Sequence, residues 1–283
     1  MFLIHSMTQV AILIAVSVYI LLFFSMNRNP LQPFHAAGVF VHEIFTSRKV
    51  LFHFAAVLLV LFFNKIEQSV ERNMDYHADF TPSVFKLEGQ FVSMFQKLFE
   101  NSFLTHVLSY YYVVVFTALM VGSMFLYLLH KNKKLFYALC YAIILNYMIA
   151  IPFYLFFPVT EVHAFNPNVR FLMLDVFPSF ETEYRPLSGL DNCFPSLHTS
   201  LSVTLAILAR RSGNLFWKRF VPISAVIIIF SIFYLGIHWL TDMTGGLVLG
   251  LFASKLALRL SEGRQLAPVS LKERFEWDKR DAQ

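Results

Sequence analysis

The sequence predicts an all-α fold: a polytopic membrane helical bundle of six to seven transmembrane helices with an interfacial amphipathic helix. Three observations carry this. Of 283 residues, 57% are apolar and only 14% are charged, where a water-soluble domain averages about 25% charged. Apolar runs recur at about 10–26, 50–63, 103–129, 135–157, 195–209, 219–237 and 239–258. A helix rises about 1.5 Å per residue and crosses a hydrocarbon core of about 30 Å in roughly 20 residues. If successive runs alternate in direction, 17 of the 23 Lys and Arg residues fall on one side.

Taken in order, the first run reads as an uncleaved span. No basic residue precedes it, it exceeds a signal-peptide core, and no small-residue cleavage site follows. The second is short for a crossing, although Arg48 and Lys49 can snorkel at its end. Within Asn64 to Asn101, Val84, Leu87, Phe91, Phe95 and Leu98 recur at steps of three and four. Lys86, Gln90, Ser93 and Lys97 occupy the other face, and Pro82 suits a helix start. This predicts an amphipathic helix, lying at the interface as one wall of a lipid entrance or packed on the bundle.

Between Pro158 and Phe194 the chain is polar and carries Pro158, Pro167, Pro178 and Pro186, which preclude a continuous helix. Irregular backbone beside a bilayer is tolerated where it lines a wet cavity, so this segment is expected to cap one. No linker or repeat divides the chain. It reads as one domain, 1–283, with a chemistry-bearing half at about 150–258 and a tail at about 260–283.

The basic side holds Arg28, Arg48, Lys49, Lys131, Lys133, Lys134, Arg210, Arg211, Lys218, Arg219 and seven residues from Lys255 to Arg280. Short loops rich in Lys and Arg stay cytoplasmic, which puts the tail inside and the opposite face toward periplasm, exterior or lumen. The net charge of +5 is then a topology signal with a role in anionic lipid contact, not a sign of a nucleic-acid partner. Cys140 in a helix and Cys193 in a loop are poor disulfide partners.

Two clusters carry the chemistry: Pro195-Ser196-Leu197-His198, and His238 with Asp242 four positions on. The intervening stretch of about 40 residues suits one membrane hairpin, which returns His238 to the face holding His198. Ser196 suits a helix N-cap, with His198 in the first turn, where free backbone N–H groups favour an anion. Asp242 can hold the His238 Nδ1 proton and leave Nε2 as a nucleophile. Arg185-Pro186 adds a guanidinium able to grip two phosphate oxygens. Each feature has an ordinary reading alone, respectively a capped helix, a chance spacing and a loop salt bridge. Their convergence on one face points to a phosphoester site. Trp239 beside it reads as an interfacial anchor.

In order and internal spacing, these motifs resemble the phosphatidic acid phosphatase type 2 superfamily, whose pattern runs KxxxxxxRP, PSGH and SRxxxxxHxxxD. The matching residues are Arg185-Pro186, Pro195 to His198, and Ser231, His238 and Asp242, within about 150–255. The wording from Asn192 to Thr199 is nearest the inositol phosphorylceramide synthase-like branch, where PSLH replaces PSGH. The resemblance implies a helical bundle, a lipid phosphate substrate in the bilayer, and chemistry through a phosphohistidine with no metal and no cofactor. His238 would be the nucleophile, Asp242 its orienter and His198 the acid and base. Arg185, Ser196 and Leu197 would hold the phosphate. The family lysine falls at Pro178 and one family arginine at Ile232, with Arg170 or His163 as candidate substitutes. The expected activity is removal of phosphate from a lipid phosphate or diphosphate. The alternatives are transfer of a phospho-alcohol head group between lipids, a non-enzymatic carrier, and a zinc hydrolase using His198, His238 and Asp242.

Overall fold

A computed structural model describes residues 3–71, 73 and 78–263; the expected tail lies outside them from residue 264 onward. Ten helices of eight residues or more order the described chain: α1 (Met7–Ser25), α2 (Gln32–Thr46), α3 (Arg48–Glu71), α4 (Thr81–Glu88), α5 (Phe91–Phe99), α6 (Ser102–Leu129), α7 (Lys133–Phe156), α8 (Leu197–Ala209), α9 (Leu215–Tyr234) and α10 (Leu240–Ser261). Among the described residues, α1, α3, α6, α7, α9 and α10 are long and apolar enough to cross a membrane. The chain is a polytopic helical bundle.

Side-chain caps set several of the starts. Ser6, Asn101, Asn132 and Asn214 each accept a backbone N–H from the first turn that follows, which satisfies donors with no partner inside the helix. α8 has 13 residues, about 20 Å of rise. It is largely buried and packs against α7, α9 and α10.

Three expectations change. The short second run belongs to a 24-residue helix, α3, because Asn64, Lys65 and Glu67 continue it beyond the apolar stretch. A helix also forms where a basic loop was expected: α2 buries Pro33 and Ala36 and packs against α3 and α6. The amphipathic segment is two helices, α4 and α5, broken at Gly89 with φ +59, a left-handed conformation that favours glycine. Its buried face is also rotated from the pattern. Leu87 and Leu98 are exposed, whereas Ser93 and Gln96 are buried. The Gln96 amide donates to the carbonyls of Arg170 and Tyr234 and accepts the Arg170 N–H, so it splices α5 to the loop and to α9.

Both motif clusters lie at one end of the bundle. α7 ends there, its Tyr154 hydroxyl donating to the Pro195 carbonyl at 3.1 Å. α8 and α10 start there, joined by the Ser196 N–H donating to the Asp242 carbonyl at 3.1 Å. Glycine permits that joint: a Cβ on Gly246 would stand 2.6 Å from the Ser196 oxygen, and one on Gly250 2.5 Å from the Ser200 oxygen. The two helices cross backbone to backbone, as small residues four apart allow.

Candidate active site

The polar loop after α7 forms the frame. Glu161 and Val159 donate backbone N–H groups to Leu190 and Asp191, and Val162 and His163 donate theirs to Ile237 and Gly236. One strand-like stretch is thereby stapled to the loop leading into α8 and to the turn leading into α10. Only single helical turns interrupt the segment, as its prolines require.

His238 sits in the entry turn of α10. Its Nδ1 lies 3.3 Å from Asp242 Oδ2, and the same oxygen accepts the Trp239 N–H at 2.8 Å. Asp242 is fully buried. Its carboxylate thus fixes the ring from the Nδ1 side, leaving Nε2 as the available lone pair. Glu88 of α4 caps the same helix from outside, accepting the Leu240 and Thr241 N–H groups at 2.6 Å each.

Ser196 is the N-cap of α8, its hydroxyl accepting the Thr199 N–H at 3.3 Å. His198 is held flat by aromatic rings: Tyr112 stacks on it at 3.9 Å between centroids with a 16° interplanar angle, and Phe116 lies 4.5 Å away. Tyr112 belongs to a π-helical turn, Tyr111–Val115, inside α6. The His198 Nε2 is buried and has no hydrogen-bond partner among the described residues.

His198, His238 and Leu197 line one cavity of about 410 Å³, together with Glu161, Asn192 and Lys65. Four tyrosines, Tyr112, Tyr147, Tyr154 and Tyr184, share its wall. On the far side of the Pro195 turn, a separate apolar groove of about 930 Å³ opens between α4, α5, α7 and α10, lined by Leu87, Phe91, Phe153, Phe194, Val248 and Phe252. The Phe194-Pro195 peptide bond is cis. The motif therefore lies between the histidine-bearing chamber and the apolar groove.

Arg185 stands behind Glu161. Its Nε and Nη2 fork onto Glu181 at 2.9 Å each, and Nη1 donates to Glu161 at 2.6 Å and to the Gly189 carbonyl at 3.0 Å. The rings of Phe171 and Phe180 lie against it, 5.3 and 5.2 Å from their centroids. Burial alone would lower its pKa, but the hydrogen bonds and charges of Glu181 and Glu161 outweigh that and hold it above the ordinary value. His163 Nε2 lies 2.8 Å from the other Glu161 oxygen, and its ring stacks on Phe171.

The structure brings together His198, Leu197, His238 and Asp242, with Ser196 joining the two helix starts. It places Arg185 and His163 one layer back, through Glu161. Arg170 lies elsewhere: exposed, and paired with Glu100 and Asp175. Pro178 is exposed on the loop, and Ile232 is fully buried in the core, so neither position offers a cation. Trp239 is not an interfacial anchor. It is 1% exposed, and its indole N–H donates to the Thr160 carbonyl at 2.8 Å, which ties α10 to the frame.

Sequence reasoning missed Tyr112, Lys65, Asn192 and the part played by Glu161. Tyr112 and Lys65 occur in or beside apolar runs that signal only a helix. Ligand atoms of Cys193, His238 and Asp242 also lie within 4.8 Å of one another. Burial, reinforced by the Asp242 and Glu161 charges, raises the Cys193 pKa and keeps the thiol protonated.

The profile of the PAP2 superfamily matches residues 86–256. No curated protein and no solved structure matches the chain.

Proposed function

The chain belongs to the PAP2 superfamily, a family of lipid phosphatases and phosphotransferases, and we propose that it is a membrane phosphohydrolase releasing phosphate from a lipid phosphate or diphosphate through a phosphohistidine. The observation that carries this reading is the pairing of His238, held by Asp242 through Nδ1, with His198 on the wall of one cavity.

His238 Nε2 attacks phosphorus, the N–P bond forms and the P–O bond to the lipid breaks. His198, protonated once the anionic substrate is bound, gives its proton to the leaving oxygen. Water then attacks phosphorus and returns a proton to His198, while the N–P bond breaks and frees phosphate. Asp242 keeps the proton on Nδ1 and stabilises the imidazole as it becomes positive. The free N–H groups of the first turn of α8 face the charge on the equatorial oxygens. Ser196 contributes by capping that turn. Arg185 reaches a phosphate only by exchanging Glu161 or Glu181 for it, a swap its charge-assisted geometry suits.

The apolar groove beside Pro195 supports a lipid substrate, with acyl chains lying in the groove and the head group passing the motif into the histidine-bearing chamber. The reading also places the site-bearing end toward periplasm, exterior or lumen, and the end with Arg28, Lys131, Lys133, Arg210 and Arg211 in the cytoplasm.

A phosphotransferase is the second reading. It is favoured by the four tyrosines and Asn192 on the wall of a chamber of about 410 Å³, which offers hydroxyls and space to an alcohol acceptor. The test is rapid acid-free quenching of purified protein with radiolabelled lipid phosphates and diphosphates. Acid-labile label on the protein, absent from His238→Ala, is expected. Substrate turnover with His238→Ala fully active sinks the mechanism. A labelled phosphodiester formed when polyols are added, in place of free phosphate, selects the transferase.

A further inference from the structure

The chamber around the two histidines is short of positive charge. Four N–H groups of Arg185 are spent on Glu181, Glu161 and Gly189. Glu161 itself lies on the chamber wall and brings a negative charge. Arg170 is paired outside, and Pro178 and Ile232 carry no charge. A phosphate monoester entering a partly desolvated cavity needs a counter-charge, because charge burial without one is costly.

Among the described residues that line the chamber, Lys65 is the only Lys or Arg. Its place follows from the packing of α3. That helix runs beside α7 in the same direction: near its start, the Lys49 ammonium lies 4.8 Å over the Tyr137 ring, and His53 stacks against Tyr137 and Tyr141. At its far end, Glu67 Oε2 accepts a hydrogen bond from the Asn192 amide at 3.1 Å. Asn192 stands three residues before Pro195, so this bond fastens the end of α3 to the catalytic loop. Leu61, Asn64 and Lys65, at i, i+3 and i+4 on one helical face, then face the chamber. Lys65 itself is exposed and forms no ion pair among the described residues.

We infer that Lys65 is the phosphate-binding cation of this site, contributed by a helix that precedes the family-matched residues 86–256 and binding a non-bridging oxygen of the lipid phosphate; this rests on the phosphoryl-transfer reading above. The chain thus draws its phosphate charge from α3 and not from the positions occupied by Pro178 and Ile232. The chamber needs α3 to be complete.

Two measurements on the purified full chain test this. Inorganic phosphate is titrated calorimetrically into wild type, Lys65→Gln, Lys65→Arg and Lys97→Gln, the last removing an exposed lysine of α5. Phosphohistidine trapping with lipid phosphates is run on the same preparations. Lys65→Gln is expected to raise the phosphate concentration at half-saturation by about ten-fold or more, as loss of a charge-assisted bond does. Lys65→Arg should stay within about three-fold of wild type, and Lys97→Gln should not change. An unchanged thermal unfolding curve for Lys65→Gln separates loss of the cation from loss of fold. Equal half-saturation in wild type and Lys65→Gln, or no saturable phosphate binding by wild type, overturns the assignment. Phosphate binding through Lys65 without any trapped label overturns the phosphoryl-transfer reading and leaves the cation in place.

Discussion

Asp242 Oδ2 faces His238 Nδ1 at 3.3 Å and accepts the Trp239 backbone N–H at 2.8 Å, so one carboxylate oxygen both orients the imidazole and caps α10. The nucleophile is therefore positioned by the start of the helix that follows it. Asp242→Asn must either keep its amide oxygen at that position, retaining both hydrogen bonds without the negative charge, or turn N–H toward Nδ1 and give up the cap. Either outcome removes the carboxylate that stabilises the imidazolium, and turnover is expected to fall by up to about 10⁴-fold. Asp242→Ala should lose the cap as well, at about 1 kcal/mol. Steady-state kinetics beside circular dichroism separates the two.

The contact of α8 with α10 has no room for a side chain at Gly250, where a Cβ would meet Ser200 backbone atoms at 2.5 and 3.0 Å. Gly250→Ala is expected to cost about 1–3 kcal/mol in overpacking and to loosen the Ser196–Asp242 joint. Thermal unfolding in detergent should show a lower midpoint, with turnover falling in parallel. An unchanged midpoint would mean that the two helices do not meet there.

Val248 is exposed on the wall of the apolar groove. Val248→Trp fills that space and should raise KM for a long-chain lipid phosphate by about ten-fold while sparing a short, soluble phosphate ester. Equal effects on both substrates would place the acyl chains elsewhere.

Hydrogen bonds from Arg185 hold the Glu181 carboxyl below its ordinary range, against the opposing effect of burial. Because the folded value is the lower one, the fork contributes stability at pH above the ordinary carboxylate value and loses it as pH falls through the folded value. Glu181 is half-exposed, so the effect is small. Unfolding midpoints followed from about pH 6 to about pH 3 should drop less steeply in Glu181→Gln than in wild type. Parallel curves refute the linkage.

Cys193, His238 and Asp242 lie close enough to hold a metal ion, but in the proposed reaction the Asp242 carboxylate is committed to His238 Nδ1 and the Trp239 N–H. Turnover is expected to survive excess chelator. Loss of activity restored by zinc would move the chemistry to a metal centre.

Much of this architecture was legible because hydropathy and helical rise act locally. The runs from Phe103, Leu135, Phe220 and Leu240 onward are dense enough in apolar residues to specify helices, and 40 residues is the length of a hairpin across a membrane. Ser196 was readable as a cap because a proline precedes it and a helical pattern follows. Gln96 and Ser93 were not readable as buried residues, since their partners, the carbonyls of Arg170, Tyr234 and Asn168, are more than 70 residues away. Trp239 was misplaced for the same reason: its indole satisfies the distant Thr160 carbonyl, so it enters the core instead of staying at a lipid boundary.

By itself the sequence determined the membrane bundle, the common end of the two histidine motifs, and the His238–Asp242 pair, all of which follow from residue type and spacing along one chain. Only the tertiary structure decided which groups surround them. Arg185 turns to Glu161 and Glu181, Tyr112 stacks on His198, and Lys65 arrives from α3. Each outcome is set by how separate helices pack, and side-chain contacts between elements far apart in the chain leave no periodicity in the residues that make them.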